Sequence, residues 1–223
     1  MSKVVIFGSK GWAQYLYYCL TSDSEHEVAG FTADDECLDT PSLLGLPVVP
    51  FSRVLSVFPP SEFRMLVGLS YQRMNQLRET KYREAKAMGY QLISYVSSSA
   101  KCVPNLELGE NSLILECAVV QPFVRIGNDV TVCSGAIIGH HTVIEDHAFV
   151  SPGAVVLGVV TIGSRCLIGA SATIIQGVKL EHDCLVGLGV ALTQNAKAGS
   201  VYIQPPAELM AQTSEELIPF LAW

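Results

Sequence analysis

The second half of the chain repeats a two-part hydrophobic pattern every six residues. From Leu108 to Leu192, every sixth residue is Leu, Ile or Val. The fourth residue after each of these is small or β-branched, from Ser112 through to Ala196. A helix has a period of 3.6 residues and a strand a period of 2, and neither yields a six-residue repeat with two constrained positions. The pattern therefore predicts a parallel β-helix built from hexapeptides. Its large aliphatic positions are Leu108, Ile114, Val120, Ile126, Val132, Ile138, Ile144, Val150, Val156, Ile162, Ile168, Ile174, Leu180, Val186 and Leu192.

Each hexapeptide supplies one short strand and one turn, so three of them close a triangular coil of eighteen residues. The large aliphatic side chain fills the interior, and the small residue four positions later fits beside the corner. Successive coils stack at about the 4.8 Å spacing of paired strands. The repeat from Leu108 to Ala196 is long enough for about five coils. Residues eighteen apart in the sequence are therefore expected to lie directly above one another.

The first hundred residues alternate strand and helix patterns instead. The segments KVVIF, EVAGF and RMLVGL are short β-rich runs, and YQLISYV at residues 90–96 resembles a fourth. A helix is predicted to begin near Trp12, and a second to run from Tyr71 to Met88 and to stop at Gly89. This alternation predicts a small Rossmann-like α/β unit. We expect an α/β domain at residues 1–97 and a β-helix domain with a C-terminal tail at residues 98–223.

Composition narrows the functional class. Apolar residues make up 49% of the chain and charged residues 16%, which is typical of a folded protein. The net charge is -7 and Lys and Arg do not cluster, so a nucleic-acid partner has little electrostatic support. No apolar run approaches the ~18 residues that span a bilayer, and we see no signal peptide at the N-terminus. The seven cysteines form no C-x-x-C pair. We therefore expect a cytoplasmic protein with reduced thiols and no membrane insertion.

The segment IGHHTVIEDHAF, at residues 138–149, contains three of the five histidines. A metal site needs three or four converging ligands. His140 and His141 are adjacent, so their side chains are expected to diverge at a turn, and His147 falls on another corner. We therefore predict no metal site. The charged columns that contain His147 and His182 are expected to form a solvated edge.

In the stacked register, the residue directly above His140 is a glycine. Gly158 lies eighteen residues later, and its missing side chain is expected to leave an open notch with an exposed backbone N–H above the imidazole. Acyl transfer uses an imidazole to remove a proton from the attacking group and a backbone amide to stabilise the oxyanion. A turn histidine without a function is the alternative that the sequence leaves open.

The strand-to-helix loop Gly8-Ser9-Lys10-Gly11 has the features of a phosphate cradle, because glycines allow close backbone approach and the helix N-terminus offers unpaired N–H groups. A tight turn without a ligand is the alternative. Trp12 is suited either to stacking on a base or sugar or to packing a domain interface. On the second predicted helix, Tyr71, Asn75 and Arg78 are expected to be structural.

Three features together resemble a known family. These are the hexapeptide array, the segment IGHHTVIEDHAFVSPGAVVLGVVTIGSRCLIGASATI and the N-terminal VVIFGSKGWA. The chain resembles the sialic acid O-acetyltransferase-type family of hexapeptide-repeat sugar acyltransferases. That family includes the UDP-4-amino-sugar N-acetyltransferase of bacillosamine synthesis and perosamine N-acetyltransferase.

The resemblance implies a homotrimer of left-handed β-helices with acyl-coenzyme A, most simply acetyl-CoA, in the cleft between neighbouring helices. It also implies a nucleotide-linked amino sugar on the N-terminal domain and a role in cell-surface polysaccharide biosynthesis. His140 corresponds to the catalytic base and Gly158 to the glycine whose amide meets the thioester carbonyl. Main-chain contacts to coenzyme A are expected near Ala170 and Leu188. The residues expected to border the nucleotide sugar are Gly8, Ser9, Lys10, Gly11, Trp12, Asp34, Asp35 and Gly68.

Two departures from the family pattern concern the same region. His141 stands where an acidic residue usually follows the base, and Phe149 stands where a second histidine is expected. The resemblance favours N-acylation of an amino sugar. Sugar O-acetylation and a non-catalytic trimeric nucleotide-sugar-binding protein remain alternatives.

Overall fold

The computed structural model describes residues 2–216. Residues 217–223, the end of the expected C-terminal tail, lie outside the described part of the chain, as does Met1.

The N-terminal unit is an α/β layer. Its elements are β1 (Lys3–Phe7), α1 (Gly11–Asp23), β2 (Glu27–Ala33), β3 (Ser42–Leu43), β4 (Leu46–Pro50), α2 (Val54–Val57), β5 (Phe63–Val67) and α3 (Gln76–Ala87). The sheet order is β3-β4-β2-β1-β5, and only the β3–β4 pair is antiparallel. The predicted strands β1, β2 and β5 and helix α1 are confirmed. The short β3–β4 hairpin, built largely from proline-flanked residues, was not predicted.

Helix α3 begins five residues later than the sequence predicts. Arg73, Met74 and Asn75 have φ values of 50°, 54° and 65°, a left-handed conformation that a right-handed helix cannot include. The predicted start at Tyr71 is therefore wrong, and residues 71–75 form a loop. The predicted stop is confirmed, since Gly89 follows the helix with a φ of 92°.

The predicted single strand at residues 90–96 is also wrong. Leu92 makes a parallel bridge with Met65 of β5, which extends the α/β sheet. Two residues beyond Ile93, β6 (Tyr95–Val96) pairs with Leu113–Ile114 of the β-helix. The chain thus crosses from one sheet to the other near Ser94, slightly before the expected domain division.

The rest of the described chain is a left-handed parallel β-helix of two-residue strands. Sheet 1 contains β6, β8 (Leu113–Ile114), β11 (Thr131–Val132), β14 (Phe149–Val150), β17 (Leu167–Ile168), β20 (Leu185–Val186) and β22 (Val201–Tyr202). Sheet 2 contains β7 (Glu107–Leu108), β10 (Arg125–Ile126), β13 (Val143–Ile144), β16 (Thr161–Ile162) and β19 (Lys179–Leu180). Sheet 3 contains β9 (Val119–Val120), β12 (Ile137–Ile138), β15 (Val155–Val156), β18 (Thr173–Ile174) and β21 (Ala191–Leu192).

The eighteen-residue register is confirmed. Ile137 pairs with Val155, for example, and every repeated aliphatic residue is the second residue of its strand. These residues and the small residues four positions later form one buried column along the helix axis. From Asn111 to Gly189, the second turn residue of each corner has a positive φ, including 59° at His141 and 62° at Val159.

A buried polar network attaches the α/β unit to the β-helix. Arg78 of α3 is 1% exposed, and its guanidinium donates to the Asp129 carboxylate at 3.0 Å and to the carbonyl oxygens of Asp129, His147 and Ala148. Asp129 is fully buried and also accepts from Asn111 at 2.7 Å. Arg78 is structural, as expected.

This network corrects the expectation for His147. Its side chain is buried, and Nδ1 lies 2.8 Å from Asp129 Oδ2 rather than in solvent. The α3 helix covers this corner, which the charge pattern of the sequence alone does not reveal. His182, two coils further along, is exposed as predicted.

Candidate active site

His140 lies at the corner between sheet 3 and sheet 2, in the turn after β12. Its backbone N–H donates to Gln121 Oε1 at 2.9 Å, and the N–H of His141 donates to the carbonyl of Pro122 at 3.2 Å. The His140 carbonyl accepts from the amide of Val159 at 2.8 Å. These bonds hold the turn between the coils below and above it. The anchoring role of Gln121 was not predicted.

The His140 ring rests directly on Gly158, as the stacked register predicts. A Cβ atom at position 158 would lie 2.7 Å from both Cε1 and Nε2 of His140. The expected open notch is wrong, however, because the imidazole fills it and Gly158 is buried. Among residues 2–216, the Gly158 amide donates to no acceptor. Only a residue without a side chain allows the imidazole to take this position.

The side chains of His140 and His141 were predicted to diverge, but they lie in contact. Their Nδ1 atoms are 3.0 Å apart, and their rings are nearly perpendicular at a centroid distance of 5.2 Å. The His141 ring also packs on Phe123, one coil below, at 4.6 Å between centroids. His141 has a left-handed φ of 59°, like the equivalent residue Phe123 one coil below, at 67°.

A second group of candidate residues lines a cavity of about 610 Å³ between the α/β unit and sheet 1. Its aromatic wall is formed by Trp12, Tyr71 and Phe149, with Tyr71 edge-on to Phe149 at 5.2 Å. Ala170 and Leu188 line the opposite side, at the corner between sheets 1 and 3. Tyr71 was predicted to be a structural residue of a helix, and its place in this wall was not predicted. The cavity combines an apolar interior with one unpaired buried donor, Trp12 Nε1.

The N-terminal loop brings Gly8 and Gly68 together. Gly8 has a φ of 137°, and a Cβ there would lie 2.9 Å from the Gly68 carbonyl oxygen. The two residues directly follow β1 and β5, so they mark the carboxyl edge of the sheet. This edge is where open α/β sheets place their ligands. Gly11 begins α1, and no atom crowds the position of a Cβ there.

The polar candidates of this loop already have internal partners. Lys10 forms an exposed ion pair with Asp39, and Asp35 accepts from the Ser52 hydroxyl at 2.7 Å. Ser9 donates weakly to the Cys37 carbonyl at 3.5 Å. Asp34 accepts from Lys81 Nζ at 2.6 Å. A ligand that uses these side chains would compete with those partners.

Lys81 holds Asp34 against the α/β core. Its ammonium also lies over the rings of Phe7 and Phe51, at 5.5 and 5.2 Å. Burial opposes the charged form of Lys81, but hydrogen bonds to Asp34 and Glu84 outweigh it and raise the pKa of the ammonium. Lys81 therefore keeps its positive charge at neutral pH although it is largely buried.

Within one chain, the two groups of candidate residues lie at different corners. His140 and Gly158 follow sheet 3, whereas Ala170 and Leu188 precede it. Trp12 is on the side of Ala170 and Leu188. The imidazole and the cavity are therefore separated by the width of sheet 3.

Comparisons with known proteins agree with this architecture. The model described as "Bacterial transferase hexapeptide (six repeats)" matches residues 141–176, and "Hexapeptide repeat of succinyl-transferase" matches residues 159–194. A single-residue variant of perosamine N-acetyltransferase from Caulobacter crescentus, solved in complex with CoA and GDP-perosamine, is similar along nearly its whole length. The two chains are 25% identical with a TM-score of 0.82, and 95% of this chain and 98% of the other are covered.

The chain therefore contains hexapeptide repeats of the bacterial transferase type, and its whole fold is similar to that of a sugar N-acetyltransferase. Two further solved structures share the fold at lower identity. The acetyltransferase domain of PglB from Neisseria gonorrhoeae, in complex with acetyl coenzyme A, is 23% identical with a TM-score of 0.78 over 89% of this chain and 94% of the other. WeeI from Acinetobacter baumannii AYE is 22% identical with a TM-score of 0.80 over 94% and 100%. No curated protein matches the sequence.

Residues 2–216 lack two kinds of feature. This part of the chain contains no group of three or more His, Cys, Asp or Glu side chains arranged to hold a metal ion. It also contains no helix with the length and apolarity needed to cross a bilayer. The cysteines at positions 19, 37, 102, 117, 133, 166 and 184 are all free thiols.

Proposed function

We propose that this acyltransferase transfers an acetyl group from acetyl-CoA to the amino group of a nucleotide-linked amino sugar, with His140 as the general base. The observation that carries the proposal is the stacking of His140 on Gly158, which places an imidazole beside a backbone amide that has no acceptor among residues 2–216. The full-length similarity to an enzyme bound to CoA and GDP-perosamine supports the substrate classes.

In this mechanism the neutral amine attacks the thioester carbonyl carbon. His140 Nε2 removes the proton that the nitrogen loses as the C–N bond forms. The Gly158 N–H donates to the oxyanion of the tetrahedral intermediate. When the C–S bond breaks, the CoA thiolate leaves and takes the proton from the imidazolium. Because the ring covers Gly158 in the free protein, the imidazole has to tilt aside when the carbonyl arrives.

We further propose that the working protein is a homotrimer. The base and the aromatic cavity lie on opposite sides of sheet 3 in one chain, so a neighbouring copy is needed to bring a base to each cavity. The outer surface of sheet 3 and its corner supports such contact, because Ile137, Leu157, Val159 and Ile175 are 37–49% exposed. A trimer with a heterologous interface closes three equivalent sites.

In the proposed arrangement, the cavity beside Trp12 receives part of the acceptor or of coenzyme A. Ala170 and Leu188 border the coenzyme A. The loop from Gly8 to Gly11, with Asp34, Asp35 and Gly68 near it, holds the nucleotide. A cytoplasmic location is part of the proposal, because seven free thiols suit a reducing compartment.

A thiol-release assay with acetyl-CoA tests the activity. The acceptors are UDP-, GDP- and dTDP-linked amino sugars, each paired with the sugar that has a hydroxyl in place of the amine. We expect CoA release with at least one amino sugar and not with its hydroxyl partner. Release with both members of a pair would support O-acetylation, and binding of a nucleotide sugar without CoA release would support a non-catalytic protein.

The variant His140→Ala tests the base. We expect a fall in kcat of about 10²–10⁴-fold with both substrates still bound. His182→Ala is the matched control, since His182 is an exposed histidine of the same β-helix at another corner. Equal activity of the two variants would remove His140 from the mechanism.

A further inference from the structure

The two adjacent imidazoles at the corner form a pair with a definite proton arrangement. Their Nδ1 atoms are 3.0 Å apart. Two nitrogens at this distance form a hydrogen bond only when one carries a proton and the other offers a lone pair. A neutral imidazole has one N–H, so the position of this proton decides which nitrogens of both rings are free to act.

The shared proton can be carried by Nδ1 of His140 or by Nδ1 of His141, and only the first arrangement leaves His140 able to work as a base. If His140 carries its proton on Nδ1 and donates it to His141, then Nε2 of His140 has a free lone pair and His141 carries its own proton on Nε2. If His141 donates instead, the proton of His140 is on Nε2, the atom that lies over Gly158. That nitrogen cannot then accept a proton from the substrate.

We propose that His141 is a positioning residue that accepts the Nδ1 proton of His140 and thereby keeps Nε2 of His140 unprotonated and directed to the substrate. The catalytic consequence rests on the proposed function, whereas the proton arrangement is a property of the free protein. After proton transfer, the His140 imidazolium still donates to the neutral ring of His141, so the hydrogen bond is kept through the reaction.

The surroundings of the pair support an imidazole acceptor. His141 is held by its amide bond to the Pro122 carbonyl and by packing on Phe123, while Val159 lies one coil above. Among residues 2–216, no Asp or Glu carboxylate oxygen lies within 4.0 Å of a ring nitrogen of either histidine. The Nδ1 atom of His141 is therefore the available side-chain acceptor for the Nδ1 proton of His140.

The test uses two substitutions at position 141. In His141→Asn, the amide oxygen takes nearly the place of the imidazole Nδ1 and accepts the same proton, and Asn tolerates the left-handed φ of 59°. In His141→Phe no acceptor remains. The turn accepts this residue, because Phe123 occupies the equivalent position one coil below with a φ of 67°. Thermal unfolding should confirm that both variants fold like the wild-type protein.

The first measurement is independent of activity. Long-range ¹H–¹⁵N correlation spectra of the ¹⁵N-labelled protein without substrates, at a pH where the histidines are neutral, report which ring nitrogen carries the proton. We expect His140 protonated on Nδ1 in the wild type and in His141→Asn, and a shift of the proton toward Nε2 in His141→Phe. A wild-type His140 with its proton on Nε2 would overturn the proposal.

The second measurement is kinetic. We expect His141→Phe to lower kcat by about 10–100-fold, the usual effect of losing a residue that orients a functional imidazole, with KM for both substrates unchanged. His141→Asn should recover most of this loss. Failure of Asn to restore kcat while the spectra show the expected tautomer would refute the catalytic role of His141. If no amino sugar is acetylated but the spectra are as expected, the proposed function fails and the proton arrangement stands.

Discussion

At the scale of single residues, the close packing of His140 on Gly158 makes a direct prediction. In Gly158→Ala, the new Cβ would lie 2.7 Å from two atoms of the imidazole, so the ring has to leave its position. The clash involves a side chain that can rotate, and Gly158 does not have a left-handed φ. We expect a fall in kcat of about 10²-fold from the misplaced base and little change in melting temperature.

Gly163→Ala is the comparison for this variant. Its Cβ would lie 2.6 Å from the Glu181 carbonyl carbon and 2.7 Å from the His182 nitrogen, and backbone atoms cannot rotate away. We expect a loss of about 1–3 kcal/mol in the free energy of unfolding and an intact active site. If Gly158→Ala lost stability and kept its activity instead, the packing of His140 on Gly158 would have only a structural role.

At the scale of elements, the attachment of α3 to the β-helix depends on Arg78. Removing its guanidinium in Arg78→Met leaves the fully buried Asp129 carboxylate without its cation. We expect the free energy of unfolding to fall by about 3–5 kcal/mol, measured by urea denaturation. The double variant Arg78→Met/Asp129→Asn should recover part of this loss, because no uncompensated charge is then buried. Additive losses in the double variant would contradict this account.

A second element-scale prediction concerns the ion pair that joins successive coils at Arg165 and Asp183. Hydrogen bonds from Arg165, 2.6 and 2.8 Å long, lower the pKa of the Asp183 carboxyl to about 2. A depressed pKa stabilises the fold above the unfolded value of about 3.9, and the stabilisation is lost as the pH falls toward 2. The free energy of unfolding should therefore decrease between about pH 4 and pH 2.

Asp183→Asn isolates this contribution. In urea titrations at several pH values, we expect the variant to lose less stability than the wild type between about pH 4 and pH 2. The difference will be modest, because both partners of the pair are about a quarter exposed and solvent screens them. Identical pH dependence of the two proteins would show that the pair does not contribute.

At the scale of the whole molecule, the proposed trimer predicts complementation between two inactive variants. His140→Ala lacks the base, and Ala170→Trp fills the aromatic cavity. Each alone should be inactive. When equal amounts are unfolded and refolded together, about a quarter of the interfaces should combine an intact His140 with an intact cavity, and activity should return to that extent.

Light scattering supplies the control for this experiment. We expect a particle of three times 24.1 kDa for the wild type and for both variants. A monomer at micromolar concentration, or mixed trimers that stay inactive, would contradict a site shared between copies.

The hexapeptide pattern alone determined most of the architecture. Each strand from β7 to β21 has a large aliphatic residue at its second position, and these side chains fill the interior of the β-helix, so the six-residue period directly encodes the register. That register also predicted the contact between His140 and Gly158. A repeat of this kind is readable in the sequence because each interaction links residues at a constant separation of eighteen.

Other features depended on interactions between distant parts of the chain. The burial of His147 required α3 to cover its corner, and the start of α3 required the left-handed loop before Gln76, neither of which has a periodic signature. The meeting of His140 and His141 depended on the orientations that their side chains adopt at one turn, which no periodic pattern in the sequence encodes. The sequence determined which residues stack because stacking follows a fixed period. The tertiary structure decided which of them are buried, paired and oriented, because those properties depend on which surface comes to lie over them.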